Sequence, residues 1–358
     1  MEIKVENLNK KICDIYILKN INLCLTSGSV NVIIGPNGAG KTSLLRQLVL
    51  LDKPCSGEIY YDGFPVSKMT NFQKTVLRRK IGFVFQHPVM LNGSVYDNII
   101  YGLKIRGIEI EKNKIEKILI KVGLFNKIYL DAKKLSGGEK QRLSIARTLI
   151  LEPEQIFFDE PTVNLDPVST RTIETLISEL SEMKKTVVLS THNLRQARQF
   201  GKKIFFMKSG EILQEGNSED IFNSPTISDI AEYSFTGNII RGKILSENGQ
   251  TYLYTDNLKI SVVTENIYNE VIGVLRPDDI FVSKLPFESS ARNCFNGIIT
   301  KIEYLGNIYI LTVNVNGTEL ETVITKQSLI SMNLNKGDEV YLTFKATAVH
   351  LLKQYDRI

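Results

Sequence analysis

The sequence predicts an α/β domain built on a parallel β-sheet, followed by an all-β domain, and three observations carry that prediction. Residues 30–34 (VNVII) form an apolar run entering the glycine-rich octapeptide GPNGAGKT, after which Leu44, Leu45, Leu48 and Val49 recur at helical spacing. Residues 156–158 (IFF) and 186–189 (TVVL) read as buried strands around a helical stretch. Beyond about residue 235, TYLYTDNLKISVV, FNGIITKIEY and NIYILTVNV alternate with near period 2, between Asn-Gly, Lys-Gly-Asp and Leu-Gly-Asn turn signals.

In chain order, the first unit is strand, glycine loop, helix. From about 95 to 150 the pattern is helical, with Ile115, Ile118, Leu119 and Val122 at i, i+3, i+4 and i+7, a stripe that buries one face. The helix over 168–183 starts at Asp166-Pro167, a cap followed by a first-turn proline. Strands alternating with helices imply a parallel sheet covered on both faces. The expected domains are 1–235, with a helical insertion over about 88–150, and 236–358; the second shows a hint of two related halves near 238–284 and 292–352.

The 358 residues, 43% hydrophobic and 23% charged, exclude a disordered or collagen-like chain. No run approaches the roughly 18 apolar residues of a spanning helix, and MEIKVENLNKK lacks the apolar stretch of a signal peptide. Cys13, Cys24, Cys55 and Cys294 are widely spaced, which suggests neither zinc site nor disulfide framework. The net charge is +5, and residues 236–358 hold 12 Lys/Arg against 13 Asp/Glu, so no basic stripe points to nucleic acid.

Gly35-Pro36-Asn37-Gly38-Ala39-Gly40-Lys41-Thr42 fits G-x-x-x-x-G-K-[ST] in the strand-to-helix setting that gives the pattern meaning. Its glycines let backbone N–H groups converge on an anion, with Ser43 next in the chain, and the helix N-terminus adds a favourable dipole. Lys41 would reach the β and γ phosphates of ATP, and the Thr42 hydroxyl would ligate Mg²⁺. Asp159 and Glu160 end the IFF strand at the edge where α/β sheets bind ligands; one would hold Mg²⁺, the other would orient the attacking water.

Leu135-Ser136-Gly137-Gly138-Glu139-Lys140-Gln141-Arg142 begins 94 residues beyond Lys41, and with it the chain resembles the ATP-binding subunit of an ABC transporter over residues 1–220. The resemblance implies that Ser136, Gly137, Gly138 and Gln141 face the γ-phosphate of ATP held by a second copy, in a head-to-tail homodimer. On the residues alone, Ser136 and Glu139 also form a capping-box spacing, and the two readings are compatible. The resemblance further implies that Gln86 senses Mg²⁺ and the membrane partner, that Asn164-Leu165-Asp166 crosses the dimer, and that His192 is the γ-phosphate switch. Three positions depart from the family pattern: Ile12 stands where an aromatic ring stacks on adenine, with Tyr16 four residues on; the dimer loop reads Val163-Asn164-Leu165-Asp166; and Asn193 follows the switch histidine.

Residues 273–358 resemble the TOBE domain of importer ATPases, and over about 65 residues its Mop-like form, in which S-A-R-N and K-A-[ST] accompany molybdate or tungstate binding. Ser290, Arg292, Asn293, Lys345, Ala346 and Thr347 are the residues implied; as residue types they equally suit an exposed face over a β-barrel core. The expectation is an ATP-hydrolysing engine of a molybdate or tungstate importer, an OB-like β domain gauging the oxyanion, two transmembrane permease subunits, an extracytoplasmic oxyanion-binding protein, and a peripheral place on the cytoplasmic face of the membrane. Two alternatives stay open: the same engine serving sulfate, iron, polyamine or sugar import, and an ABC ATPase acting without a membrane partner.

Overall fold

Strands buried on both faces must be covered by helices, and the computed structural model shows how this chain does it. The structure describes residues 1–222, 237–264, 270–305 and 308–353, in two compact units, Met1–Ile221 and Phe222–Ile358. The boundary expected at 235/236 lies outside the described residues.

In the first unit, β1 (Ile3–Ile12) and β2 (Ile15–Leu25) form a hairpin, then come β3 (Val30–Ile34), α1 (Lys41–Leu48), β4 (Ser56–Tyr61), β5 (Phe64–Pro65), α2 (Asn71–Arg79) and β6 (Ile81–Val84). The helices α3 (Val95–Arg106), α4 (Lys112–Lys121) and α5 (Gly137–Leu149) follow, and after them β7 (Gln155–Asp159), α6 (Pro167–Glu182), β8 (Thr186–Thr191), α7 (Leu194–Phe200), β9 (Lys203–Lys208) and β10 (Glu211–Gly216). The main sheet has the order β10-β9-β3-β8-β7-β6, parallel except for β10. A second, antiparallel sheet, β2-β1-β4-β5, encloses with it a core around Leu44, Leu45, Leu48, Phe157 and Phe205. Because β3, β8, β7 and β6 are parallel neighbours, the segments that leave their C-terminal ends emerge along one edge. Those segments carry Gly35–Thr42, His192, Asp159-Glu160 and Gln86.

Local chemistry sets the helix starts. Asp166 caps α6 by accepting from Ser169 N–H at 2.9 Å, with Pro167 in the first turn, as the sequence predicts. Ser94 and Asp97 form a capping box on α3, and Ser136 and Glu139 form another on α5. The helical insertion is three helices, α3, α4 and α5, with α3 and α4 packed on α5.

The second unit is all-β. Its first half supplies β11 (Asn238–Glu247), β12 (Gln250–Tyr254), β13 (Lys259–Val262), β14 (Val271–Leu275) and β15 (Phe281–Ser283); its second half supplies β16 (Asn293–Leu305), β17 (Ile308–Val315), β18 (Thr318–Thr325), β19 (Glu339–Phe344) and β20 (Val349–Lys353). The sheets run β13-β12-β11-β14-β20 and β15-β19-β16-β17-β18, so each half contributes its last strand to the other half's sheet. The halves match in register as well: Asn238 pairs with Leu275 and Asn293 with Phe344. Each of these asparagines is buried and bonds the backbone of the opposite half, Asn238 that of Glu321 and Asn293 that of Ser261.

Candidate functional site

The four segments at the sheet edge meet at a cavity of about 840 Å³, lined among others by Gly38, Ala39, Gly40, Lys41, Thr42, Ser43, Gln86, Glu160 and His192. Gly40 stands at the N-cap of α1 with φ 104°, and a Cβ there would lie 2.9 Å from the Ile17 carbonyl oxygen and 2.9 Å from the Met207 methyl, so only glycine lets the chain turn into the helix. The helix therefore opens directly onto the cavity, its first N–H groups available to an anion.

Lys41 is buried. Its Nζ donates to the carbonyls of Gly35 at 2.8 Å and Pro36 at 3.1 Å, and lies 3.1 Å from Glu160 Oε1. The other Glu160 oxygen is 2.6 Å from His192 Nδ1, so one carboxylate, 6% exposed, joins the lysine to the histidine. Glu160 and Asn164 both hold positive φ, 45° and 58°, a strained backbone of the kind that concentrates at functional sites.

Asp159 is 2% exposed, and its Oδ1 accepts from Ser190 Oγ at 2.7 Å and Thr42 Oγ1 at 3.1 Å. Burial pushes its carboxyl above the usual range, outweighing the two hydroxyl hydrogen bonds, which pull the other way. The folded chain thus keeps this proton to higher pH than the unfolded chain does. The ionised form costs stability as pH climbs from the ordinary carboxylate value of about 3.9 through the raised one. Asp159→Asn, which retains an acceptor for both hydroxyls, is expected to raise the melting temperature of the nucleotide-free protein at pH 7. The advantage should close as pH approaches 4 in a thermal-unfolding series.

Thr42 and Asp159 present hard oxygen donors 3.1 Å apart, a donor set that fits Mg²⁺, and Gln86 lines the same cavity. Gly35, Pro36 and Asn37 form the entry to the loop, with Asn37 on the cavity wall. Ile12 and Tyr16 are exposed on the β1–β2 hairpin, and the Lys11 ammonium sits 4.2 Å from the Tyr16 ring centre; it is Ile17 of this hairpin that reaches the cavity. Sequence reasoning missed Ser190, whose hydroxyl holds Asp159, and Thr162 and Thr191, which line the wall. Small hydroxyl residues at strand ends leave no spacing pattern to find.

Ser136, Gly137, Gly138, Gln141 and Asp166 are not among the residues lining this cavity. Ser136 caps α5 through Glu139 N–H at 3.3 Å, and Glu139 returns to Ser136 N–H at 3.0 Å. The Lys127 ammonium, 2.5 Å away, does most to hold the Glu139 carboxyl below its usual range. Gly138 abuts the start of α6, where a Cβ would stand 2.2 Å from Ser169 Oγ and 2.6 Å from Asp166 Oδ2.

In the β unit, Lys345 and Thr347 line a cavity of about 350 Å³ with Asp278, Asp279, Phe281 and His350. Ser290 and Arg292 are exposed, and the pairing of Asn293 with Phe344 places Arg292 just before one strand and Lys345 just after its neighbour. Asn293 accepts from Ser261 N–H at 2.7 Å and donates to Ser261 C=O at 3.0 Å, and Ala346 is buried.

Comparison with known proteins bears on both units. The model of the ABC transporter family matches residues 18–163, and that of the TOBE domain matches 289–351. The molybdate/tungstate import ATP-binding protein WtpC of Pyrococcus horikoshii is 32% identical over 98% of this chain and 99% of its own length, and that of Pyrococcus abyssi is 32% identical over 97% and 99%. The phosphate import ATP-binding protein PstB of Borreliella burgdorferi is 40% identical, over 64% of this chain and 93% of its own. Among solved structures, the ATP-binding cassette MJ0796, dimeric and in a post-hydrolysis state bound to ADP and Pi, is 34% identical with a TM-score of 0.56, covering 60% of this chain and 98% of that one. The chain belongs to the ABC transporter ATP-binding family, as an ATP-hydrolysing cassette that carries a C-terminal TOBE domain.

Proposed function

We propose that this chain hydrolyses ATP to drive import of molybdate or tungstate through a membrane permease. One observation carries the cargo: the likeness to the molybdate/tungstate import proteins runs through both units, while that to the phosphate import protein stops at 64% of the chain. Among the described residues no helix is long and apolar enough to cross a membrane. The likeness to import ATP-binding proteins supports a peripheral subunit docked on the permease, on its cytoplasmic face. An extracytoplasmic oxyanion-binding protein would deliver the cargo.

The residues divide the chemistry as follows. The loop 35–43 and the start of α1 bind the phosphates, and Lys41 exchanges Glu160 for the γ-phosphate. Glu160 orients water and takes its proton, held in place by His192 at 2.6 Å. Thr42, Asp159 and Gln86 would hold Mg²⁺, which neutralises charge that develops on the phosphates. Two copies pair head to tail, with Ser136, Gly137, Gly138 and the Asp166 loop of one closing the ATP site of the other. Binding closes the pair and hydrolysis reopens it.

The TOBE unit would gauge cytosolic molybdate or tungstate through Ser290, Arg292, Lys345 and Thr347, a set of charged and hydroxyl donors that suits a tetrahedral dianion. Thermal unfolding of the full-length protein with molybdate, tungstate and sulfate tests this. Molybdate or tungstate at 100 times its Kd should stabilise by about 2.7 kcal/mol, sulfate should do far less, and Arg292→Ala should lose the response. Equal shifts with sulfate, or an unchanged response in Arg292→Ala, would overturn the sensor.

A further inference from the structure

The backbone that leaves β6 is held by three side chains. Gln141, in the second turn of α5 and 1% exposed, donates through Nε2 to the Phe85 carbonyl at 3.1 Å. Arg147, from the same helix, donates through Nη2 to the Val89 carbonyl at 3.0 Å. Asn98 of α3, fully buried, donates to the Leu91 carbonyl at 3.1 Å and accepts from Leu91 N–H at 2.9 Å. Gln86, which lines the phosphate cavity, hangs between the first two tethers.

For stability alone, glutamine is a poor choice at position 141. Its Oε1 is buried with no hydrogen-bond partner, whereas methionine would fill a similar volume and strand no acceptor. What the amide supplies is the donor to Phe85, next to Gln86. The same helix starts at Ser136-Gly137-Gly138, packed against the first turn of α6, so one rigid element touches both the Asp166 segment and the Gln86 loop.

We infer that Gln141 is a positioning residue for Gln86, fixing through the Phe85 carbonyl where the Gln86 amide enters the phosphate cavity, with Arg147 as the second anchor of the same loop. The inference rests on the proposed role of Gln86 toward Mg²⁺.

The test is the Mg²⁺ dependence of ATP hydrolysis by the full-length protein, together with calorimetric Mg²⁺ binding to its complex with a non-hydrolysable ATP analogue, in Gln86→Ala, Gln141→Met and the double variant. Loss of an outer positioning partner commonly weakens metal affinity about 10- to 100-fold. Gln86→Ala and Gln141→Met should each raise the half-saturating Mg²⁺ by about tenfold or more, with a smaller change in kcat at saturation. The double variant should be no worse than Gln86→Ala, because both changes remove one interaction. Arg147→Met, which cuts the tether at Val89 and leaves Gln141 in place, should shift Mg²⁺ dependence the same way and serves where Gln141→Met does not fold. If Gln86→Ala shifts the dependence and Gln141→Met does not, or if their effects multiply, the positioning role is wrong. An unchanged half-saturation in Gln86→Ala would overturn the Mg²⁺ role of Gln86, and this inference with it.

Discussion

A Glu160→Gln chain should bind ATP, pair with a second copy and stall, hydrolysing more slowly by about 10²–10⁴-fold, the usual contribution of a positioned base. The substitution is close to isosteric in a site that leaves little room. The amide can still meet His192, but it cannot take a proton from water, and it releases Lys41 from its ion pair. Lys41 remains bonded to the carbonyls of Gly35 and Pro36, so the loop keeps its shape while a competitor for the lysine is removed. Nucleotide should therefore bind at least as tightly as in the parent while turnover collapses. Single-turnover hydrolysis together with size-exclusion chromatography in ATP and Mg²⁺ reads both quantities; full activity in this variant would remove Glu160 from the role of base.

Gly138→Ala attacks the partner face of the same machine. The added methyl would need the space of Ser169 Oγ, 2.2 Å away, and of Asp166 Oδ2, 2.6 Å away. The oxygens can rotate aside, but Ser169 Cβ, 2.8 Å away and so closer than real Cβ atoms approach, cannot, so α5 or the first turn of α6 must shift and the Asp166 cap is disturbed with it. Loss of that cap costs about 0.5–2 kcal/mol of stability. A displacement of about 1 Å in groups that must meet ATP across the pair costs on the order of 10²-fold in rate. Binding to the loop at 35–43 should survive, since none of these atoms touches that cavity. Fluorescent-nucleotide titration beside steady-state hydrolysis separates the two effects, and a Gly138→Ala chain that turns over like the parent would sever Gly138 from the reaction.

Much of the nucleotide site was legible because its parts are encoded locally. The octapeptide at 35–42, the Asp159-Glu160 pair after an apolar strand, and the Asp166-Pro167 helix start each need only a few neighbouring letters. What brings them together, the order β3-β8-β7-β6, is not written in any one segment, and it emerges only once the parallel strands are paired. The hairpin of β1 and β2 and the antiparallel sheet it builds went unread, since alternation holds only over short runs, Ile3–Glu6 and Ile21–Leu25, and register shifts between Val5 and Lys11 break the period. Single residues inside motifs were the least transparent. Gln141 spends its amide on the Phe85 carbonyl and Asn293 spends its own on Ser261, roles that depend on backbone distant in the sequence.

The exchange of β15 and β20 between the halves of the β unit makes those halves interlocked pieces. A cut in the exposed stretch between them, at 284–292, would leave each fragment gripping the other by a strand, so nicked protein should elute as one body until denatured. Either fragment made alone would present a raw sheet edge and an orphan strand, and would gain order only when supplied with its complement.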